Sequence, residues 1–355
     1  MTAFLRRGLA VAAGIALQIF ILGCTSSLAT EVSTTAPTPE PYCRGPEQTY
    51  LTLPEWFLVH SPAEYAAFIK DRPPSDFPYF GHINQFWETY ATAYDATKTD
   101  YPFNLGYHVM VTVIGTSTTV EYTLKSAYET FVGRLTEITR THGLTAEDKY
   151  AANVAQQYVD FINVRPWYEF DFLGKIGDLW TQTPLLGDDF IRKAERKFAL
   201  TSEYGIKAAY GWLIGFSTKA AYDEAKPETV IKVDHLPDDA ATQFSDLKVL
   251  GKNPDGSVLV SVPRYAAFKD YTAKLARSHV KFIEIACNRS VILVSVLVPA
   301  TLQPGTLPFK ALLMQPILTQ PSTKRIVLEV PIDRLADALN LLKPPSFQIE
   351  HVYDF

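Results

Sequence analysis

A chain of 355 residues, 47% of them hydrophobic, is long enough to bury the cores of two ordinary domains, which excludes a disordered or fibrous protein. Its 33 basic and 38 acidic residues leave a net charge of −5, with no excess of either sign that would mark a polyanion binder or an acidic tail, so nucleic acid is not an expected partner. The unusual quantity is aromatic area, 13% of residues being Phe, Tyr or Trp.

Arg6-Arg7 is followed by an uncharged run from Gly8 to Gly23 and then directly by Cys24, which reads as an export segment over residues 1–23. Ile21-Leu22-Gly23-Cys24 resembles the bacterial lipobox, and the resemblance implies cleavage before Cys24 and a lipid on its thiol. Cleavage near Ser27-Leu28-Ala29 and an uncut N-terminal anchor are the competing readings, since about 17 apolar residues is the lower limit for a span. All three put the body of the protein in the cell envelope, outside the cytoplasm. Residues 24–49, with Thr34-Thr35-Ala36-Pro37-Thr38-Pro39-Glu40-Pro41, read as a disordered Thr/Pro-rich tether. An oxidising compartment permits Cys43 and Cys287 to pair; a free or buried Cys287 is the alternative.

Residues 50–226 read as an aromatic-rich helical domain. Ser61-Pro62-Ala63-Glu64 has the N-cap, first-turn proline and acidic third position of a helix start. A helix over 79–96 carries Phe80, Ile83, Phe86, Trp87 and Tyr90 at spacings of three and four. A long helix is expected over 104–141, its stretch 105–124 largely apolar but holding His108, Glu121 and six Ser or Thr residues. A further helix covers 145–164, with Glu147 and Asp148 in the first turn where the helix dipole favours them. A second long helix is expected over 189–225, opening on the basic cluster Arg192, Lys193, Arg196 and Lys197 and containing the pair Gly211 and Gly215, which admits a close neighbour. Ile114-Gly115-Thr116-Ser117-Thr118 with Tyr122 recurs as Ile214-Gly215-Phe216-Ser217-Thr218 with Tyr222, so the two long helices are expected to cross closely through their small residues. Whether 105–124 and 198–216 span a membrane divides a soluble or membrane-surface bundle from a polytopic protein; Glu121 argues for the bundle, at a cost of about 2.5–3.5 kcal/mol near a bilayer centre.

After Lys226-Pro227 the pattern changes, and residues 227–355 read as an α+β domain. Alternating strands are expected over 229–234, 246–250 and 258–262, the last two joined around Asn253-Pro254-Asp255-Gly256. A β-α-β unit built on Val260-Ser261-Val262-Pro263 and Phe282-Ile283-Glu284-Ile285 recurs on Leu328-Glu329-Val330-Pro331 and Gln348-Ile349-Glu350-His351. The repeat resembles the ferredoxin-like split βαβ sandwich, an antiparallel sheet with helices on one face, a likeness of topology that carries no function. In that alignment Glu284 and Glu350 match and fall on the solvated face, where a ligand surface is the alternative. The expected class is therefore α+β, a helical bundle followed by a ferredoxin-like sheet domain.

No phosphate loop, His-Glu-x-x-His, Gly-x-Ser-x-Gly or paired-cysteine motif occurs, and the 7 histidines have no zinc-like spacing, so neither cofactor nor metal is expected. Arg165-Pro166-Trp167-Tyr168-Glu169-Phe170-Asp171-Phe172 is the densest aromatic stretch, and desolvation by its rings would prepare Glu169 or Asp171 as a general acid or base. His82, His108, Glu121, Arg165 and Trp167 are the remaining candidates for an apolar ligand pocket. The preferred reading is a non-enzymatic envelope lipoprotein, lipidated at Cys24. Its helical body contacts membrane lipid or an apolar small molecule, and its α+β part docks an envelope protein. The alternatives are a periplasmic hydrolase or transferase using Glu169 and Asp171, and the polytopic protein.

Overall fold

The computed structural model describes residues 37–221, 226–237, 240–303, 305–343, 345 and 347–355, without the side chains of 215–221, 241 and 242. Residues 1–36, and with them the export segment, Cys24 and most of the expected tether, lie outside that range. The chain is α+β, and Ala36–Phe355 form one unit. Its helices are α1 (Gln48–Leu51), α2 (Phe57–Phe68), α3 (Tyr79–Thr97), α4 (Leu105–Tyr128), α5 (Arg134–Glu137), α6 (Ala146–Ile162), α7 (Phe172–Gln182) and α8 (Phe190–Ala221). The expected long helix over 104–141 is thus α4 and α5, joined through a π-helical turn at Glu129–Gly133.

Local chemistry explains several of these ends. Asn104 caps α4 by accepting from the Tyr107 amide, Thr145 and Asp148 form a reciprocal capping box on α6, and Asp171 caps α7 by accepting from the Gly174 amide. The expected cap at Ser61 is not used. Helix α2 starts five residues earlier, with Trp56 at its N-cap and Pro62 inside it. Pro62 has no amide to give, so the Leu58 carbonyl loses its helical partner, while the Ser61 hydroxyl is released to the core.

Segment 37–49, expected as tether, is packed. A 3₁₀ turn at Glu40–Tyr42 leads to the Cys43–Cys287 disulfide, with Cα atoms 4.9 Å apart, and the Arg44 amide donates to the Ala286 carbonyl.

The β part holds β1 (Glu228–Val233), β2 (Lys248–Lys252), β3 (Val258–Pro263), β4 (Phe282–Ile285), β5 (Val291–Pro299), β6 (Lys310–Pro316), β7 (Thr323–Pro331) and β8 (Gln348–Val352). It also carries α9 (Ala240–Gln243), α10 (Ala266–Arg277) and α11 (Leu335–Leu341). The strands form two antiparallel sheets, ordered β2-β3-β1-β4 and β6-β7-β5-β8. A single sheet combining both β-α-β halves, as the sequence suggested, does not form; each half is completed by its own hairpin. The halves share a core, Val260 and Val262 joining Val294, Val296, Leu328 and the buried faces of α10 and α11, and the Asn340 side chain donates to the Ala276 carbonyl.

The repeat extends to irregularities. Register breaks fall between Lys232 and Val233 against β4 and between Ser295 and Val296 against β8, which leaves Ile283 and Glu350 as the extra residues of two equivalent bulges. Lys232 pairs with Glu284 and Ser295 with His351, so Glu284 corresponds in space to His351 and not to Glu350. The sequence alignment is one residue out of register, and one residue reverses the side of the sheet a side chain faces. Neither carboxylate is solvated. Glu284 accepts from Thr38 Oγ1 at 2.6 Å and from Arg289 Nε at 2.7 Å, and Glu350 is enclosed beneath the helices.

The small residues of the long helices serve other neighbours than each other. A Cβ on Gly115 of α4 would lie 2.2 Å from the Phe86 ring of α3, and one on Gly211 of α8 would lie 3.2 Å from the Tyr168 carbonyl. Gly115→Ala is therefore expected to destabilise the protein by about 1–3 kcal/mol, read by urea denaturation, whereas alanine at Gly205, where nothing lies within 4 Å, leaves the midpoint unchanged or higher.

Candidate functional site

Two arrangements of polar groups organise the helical layer. The first is a chain of ionisable side chains between α2, α3, α4 and the sheet of β5–β8. Arg325 on β7 donates through Nε and Nη2 to Glu350 at 2.6 and 2.7 Å, and through Nη2 to Glu64 of α2 at 3.0 Å. Glu350 also accepts from Ser295 Oγ at 2.7 Å and lies 3.2 Å from His60 Nδ1. Beyond Glu64, His82 Nδ1 lies 2.9 Å from Ser61 Oγ, which meets the Tyr122 hydroxyl at 2.6 Å. Burial holds His60 and His82 in the neutral form and pushes each pKa down to about 4. Burial works against ionisation of Glu350 as well, but the cationic and hydrogen-bonding groups around it outweigh this and hold it at about 2.

Ser61, His82 and Glu64 have the connectivity of nucleophile, base and orienting carboxylate. Ser61 is 1% and His82 0% exposed, so no substrate atom reaches the hydroxyl, and the set acts as a clamp between layers.

The second arrangement zips α4 and α8 together as antiparallel neighbours. Ser117 meets Tyr210 at 3.2 Å, Glu121 meets Lys207 at 3.2 Å, Lys125 meets Glu203 at 2.7 Å and Glu129 meets Arg196 at 2.9 Å. Burial would raise Glu203, but Lys125 and Lys207 outweigh it and hold its carboxyl at about 2. Three of the four residues of the basic cluster singled out in the sequence, Arg192, Arg196 and Lys197, are interior. Arg192 bridges Asp148, Glu195 and Glu137, and Lys197 Nζ closes the C-terminal end of α7 by donating to the Leu179 and Thr183 carbonyls at 3.1 and 2.8 Å.

Because every charge of α4 is drawn inward to α8, the outer side of α4 carries none. From Leu105 to Val132 the exposed positions are Gly, Ala, Thr or larger apolar residues, among them Met110, Val113, Val120, Leu124 and Phe131, and Leu135 and Ile138 continue the row. On α8, Ile191, Phe198 and Ile206 are likewise exposed, Phe131, Ile138 and Ile206 reaching 72%, 79% and 70%. A helix facing water ordinarily places its charges on that face. Among the described residues no helix is long and apolar enough to cross a membrane, which removes the spans considered for 105–124 and 198–216; the inward charges Glu121, Lys125, Glu203 and Lys207 interrupt both.

The residues expected to form one pocket are dispersed. His82 belongs to the buried chain, Glu121 to the α4–α8 zipper, and His108 lies at the start of α4 with Nδ1 3.0 Å from the Tyr90 hydroxyl. Trp167 stacks on Tyr210 at 5.4 Å, and Arg165 is exposed. Glu169 is exposed, and Asp171 is exposed and occupied as the α7 cap, so the aromatic ring cluster packs on itself and does not desolvate either carboxylate. Among the described residues no group of three or more His, Cys, Asp or Glu is placed to hold a metal ion. Sequence reasoning missed His60, Glu64, Ser295 and Arg325, whose partners lie 18 to 290 positions away and leave no local pattern; only the failed cap at Ser61-Pro62 hinted at another use for that turn.

No family model, curated protein or solved structure matches this chain.

Replacing Arg325 by Leu leaves Glu64 and Glu350 buried without their cation, and denaturation should show a loss of about 3–5 kcal/mol. The histidines set the acid response. His60 and His82 have folded values near 4, below the usual 6.5, so the unfolded chain takes up their protons first. Their contribution is complete above pH 6.5 and is lost as pH falls toward 4, at roughly 1.4 kcal/mol per pH unit for each histidine. Glu350 adds a second loss from pH 4.5 to 2. Urea midpoints at half-unit steps from pH 7.5 to 4.5 should fall below 6.5, with the fall reduced in His60→Gln.

Proposed function

We propose that this protein is a lipid-anchored component of the cell envelope whose α4–α8 face rests on the membrane surface. The observation that carries the reading is the uncharged outer side of α4 and α8, two neighbouring helices whose exposed positions are hydroxyl-bearing or apolar over about eight turns. Threonines interleaved with Val, Leu and Phe suit the boundary between headgroups and acyl chains, where an amphipathic helix lies in the membrane plane.

Three further facts support it. The lipobox-like Ile21-Leu22-Gly23-Cys24 supplies an anchor, and the Cys43–Cys287 disulfide fits an oxidising compartment. The 14 residues from Cys24 to the packed Thr38 reach at most about 50 Å, which keeps the body near the bilayer. Tyr42 lies under Lys226, 3.9 Å from its ring centroid, so the chain arrives where α8 leads into β1. An anchor raises the local concentration of the face at the membrane, so a weak surface affinity suffices. Arg192 and Arg196 of the basic cluster take no part because their charges are paired inside.

With Cys24→Ala the protein should leave the membrane pellet on carbonate washing. The same full chain should still bind vesicles of phosphatidylethanolamine and phosphatidylglycerol weakly, and adding Phe131→Asp with Phe198→Asp should lower that binding at least tenfold while circular dichroism stays unchanged. Retention of Cys24→Ala in the washed pellet would sink the lipid anchor. A face whose aspartates leave vesicle binding intact but split a dimer in sedimentation would belong to a protein interface.

A further inference from the structure

Among the described residues, a cavity with room for an organic molecule lies where α1, the end of α3 and the start of α4 meet. It measures about 180 Å³ and is walled by Tyr94, Tyr101, Phe103 and His108, with Lys98 and Asn104 at its edge. Tyr107 donates to the Leu51 carbonyl and pins α4 to α1 behind it. An apolar cavity of about 150 Å³ accommodates benzene, so this volume matches one six-membered ring with a small substituent. By contrast, the pocket between Tyr65, Glu129 and Arg196 is about 30 Å³, the size of a water.

We infer that this cavity is a binding site for a single-ring phenolic ligand, held by the rings of Tyr94, Tyr101 and Phe103 and by a hydrogen bond to His108 Nε2. The imidazole is only 6% exposed and lines the cavity, and its orientation is fixed from behind by the Tyr90 hydroxyl on Nδ1. Nε2 has no hydrogen-bond partner among the described residues. The lining mixes polar and apolar surface, and Nε2 is accessible within it to meet a ligand. A phenol hydroxyl both donates and accepts, and so satisfies Nε2 in either tautomer.

The ring positions favour an aromatic over an aliphatic occupant. Phe103 stacks on His108 with centroids 4.5 Å apart and planes 3° apart, while Tyr94 presents an edge at 5.7 Å. Phe103 is 62% exposed, an unusual position for a phenylalanine, and lines the cavity mouth beside His108. Lys98 sits at the rim, paired with Asp95 at 2.5 Å and 5.7 Å from the Tyr94 ring, so the interior carries no net positive charge to select a carboxylate. Burial also lowers the His108 pKa and keeps the ring neutral near pH 7. The inference does not rest on the membrane reading.

The test uses the full chain with ¹⁵N-labelled histidine. Phenol is titrated and the His108 imidazole resonance, assigned by its loss in His108→Gln, is followed. The expected result is a saturable shift in the millimolar range or tighter, with benzene and cyclohexanol at least fivefold weaker because each lacks one of the two recognised features. Phe103→Ala, at an exposed position that leaves the fold intact, should weaken phenol at least threefold. A shift that does not saturate, equal binding of cyclohexanol, or an unchanged affinity in Phe103→Ala overturns the assignment. So does a shift with glucose and none with phenol.

Discussion

The contact on which the helical layer depends is Arg325 between two carboxylates. Its guanidinium holds Glu350 on β8 of the same sheet with two donors and Glu64 on α2 with a third, in a place too buried for water to screen the charges. Removing such a cation from water is costly, and the cost is met only because both carboxylates meet it with good geometry, Glu350 itself being held by the Ser295 hydroxyl. The position of α2 on the sheet is thereby fixed. Ser61 and His60 then point where they do, and α3 and α4 follow through His82 and Tyr122.

The bulge in β8 is what delivers Glu350 to that contact. In the equivalent sheet the extra residue is Ile283, which is exposed, and the adjacent carboxylate of the same strand, Glu284, is met by Thr38. One repeated fold thus receives two different coverings, α2 and α3 on one sheet and the N-terminal segment on the other. The difference turns on which residue type sits at the bulge.

Pairing of charges also shapes the surface. The α4–α8 zipper consumes Glu121, Lys125, Glu129, Arg196, Glu203 and Lys207, and among the described side chains the exposed positions of both helices are uncharged as a result. A sequence reading that counts charges along 105–124 cannot tell this from a polar helix, because the direction in which each side chain points depends on its partner about 80 residues away. The membrane-surface proposal rests on that direction, while the lipobox-like start rests on sequence alone.

By itself the sequence determined the α+β class, the helices over 79–96 and 145–164 and the β-α-β recurrence, because each is encoded by neighbours a few residues apart through periodicity, first-turn charges and turns. It could not determine that the two recurrences complete separate sheets, since hairpin partners and bulges are decided by pairing across strands. Nor could it gather a site. Glu169 and Asp171 sit among rings in sequence yet face solvent, and Arg192 and Arg196 look like a surface patch yet are buried. Only the tertiary structure decided these, because burial and partnership belong to pairs of residues brought together by packing and are not properties of the chain on either side of them.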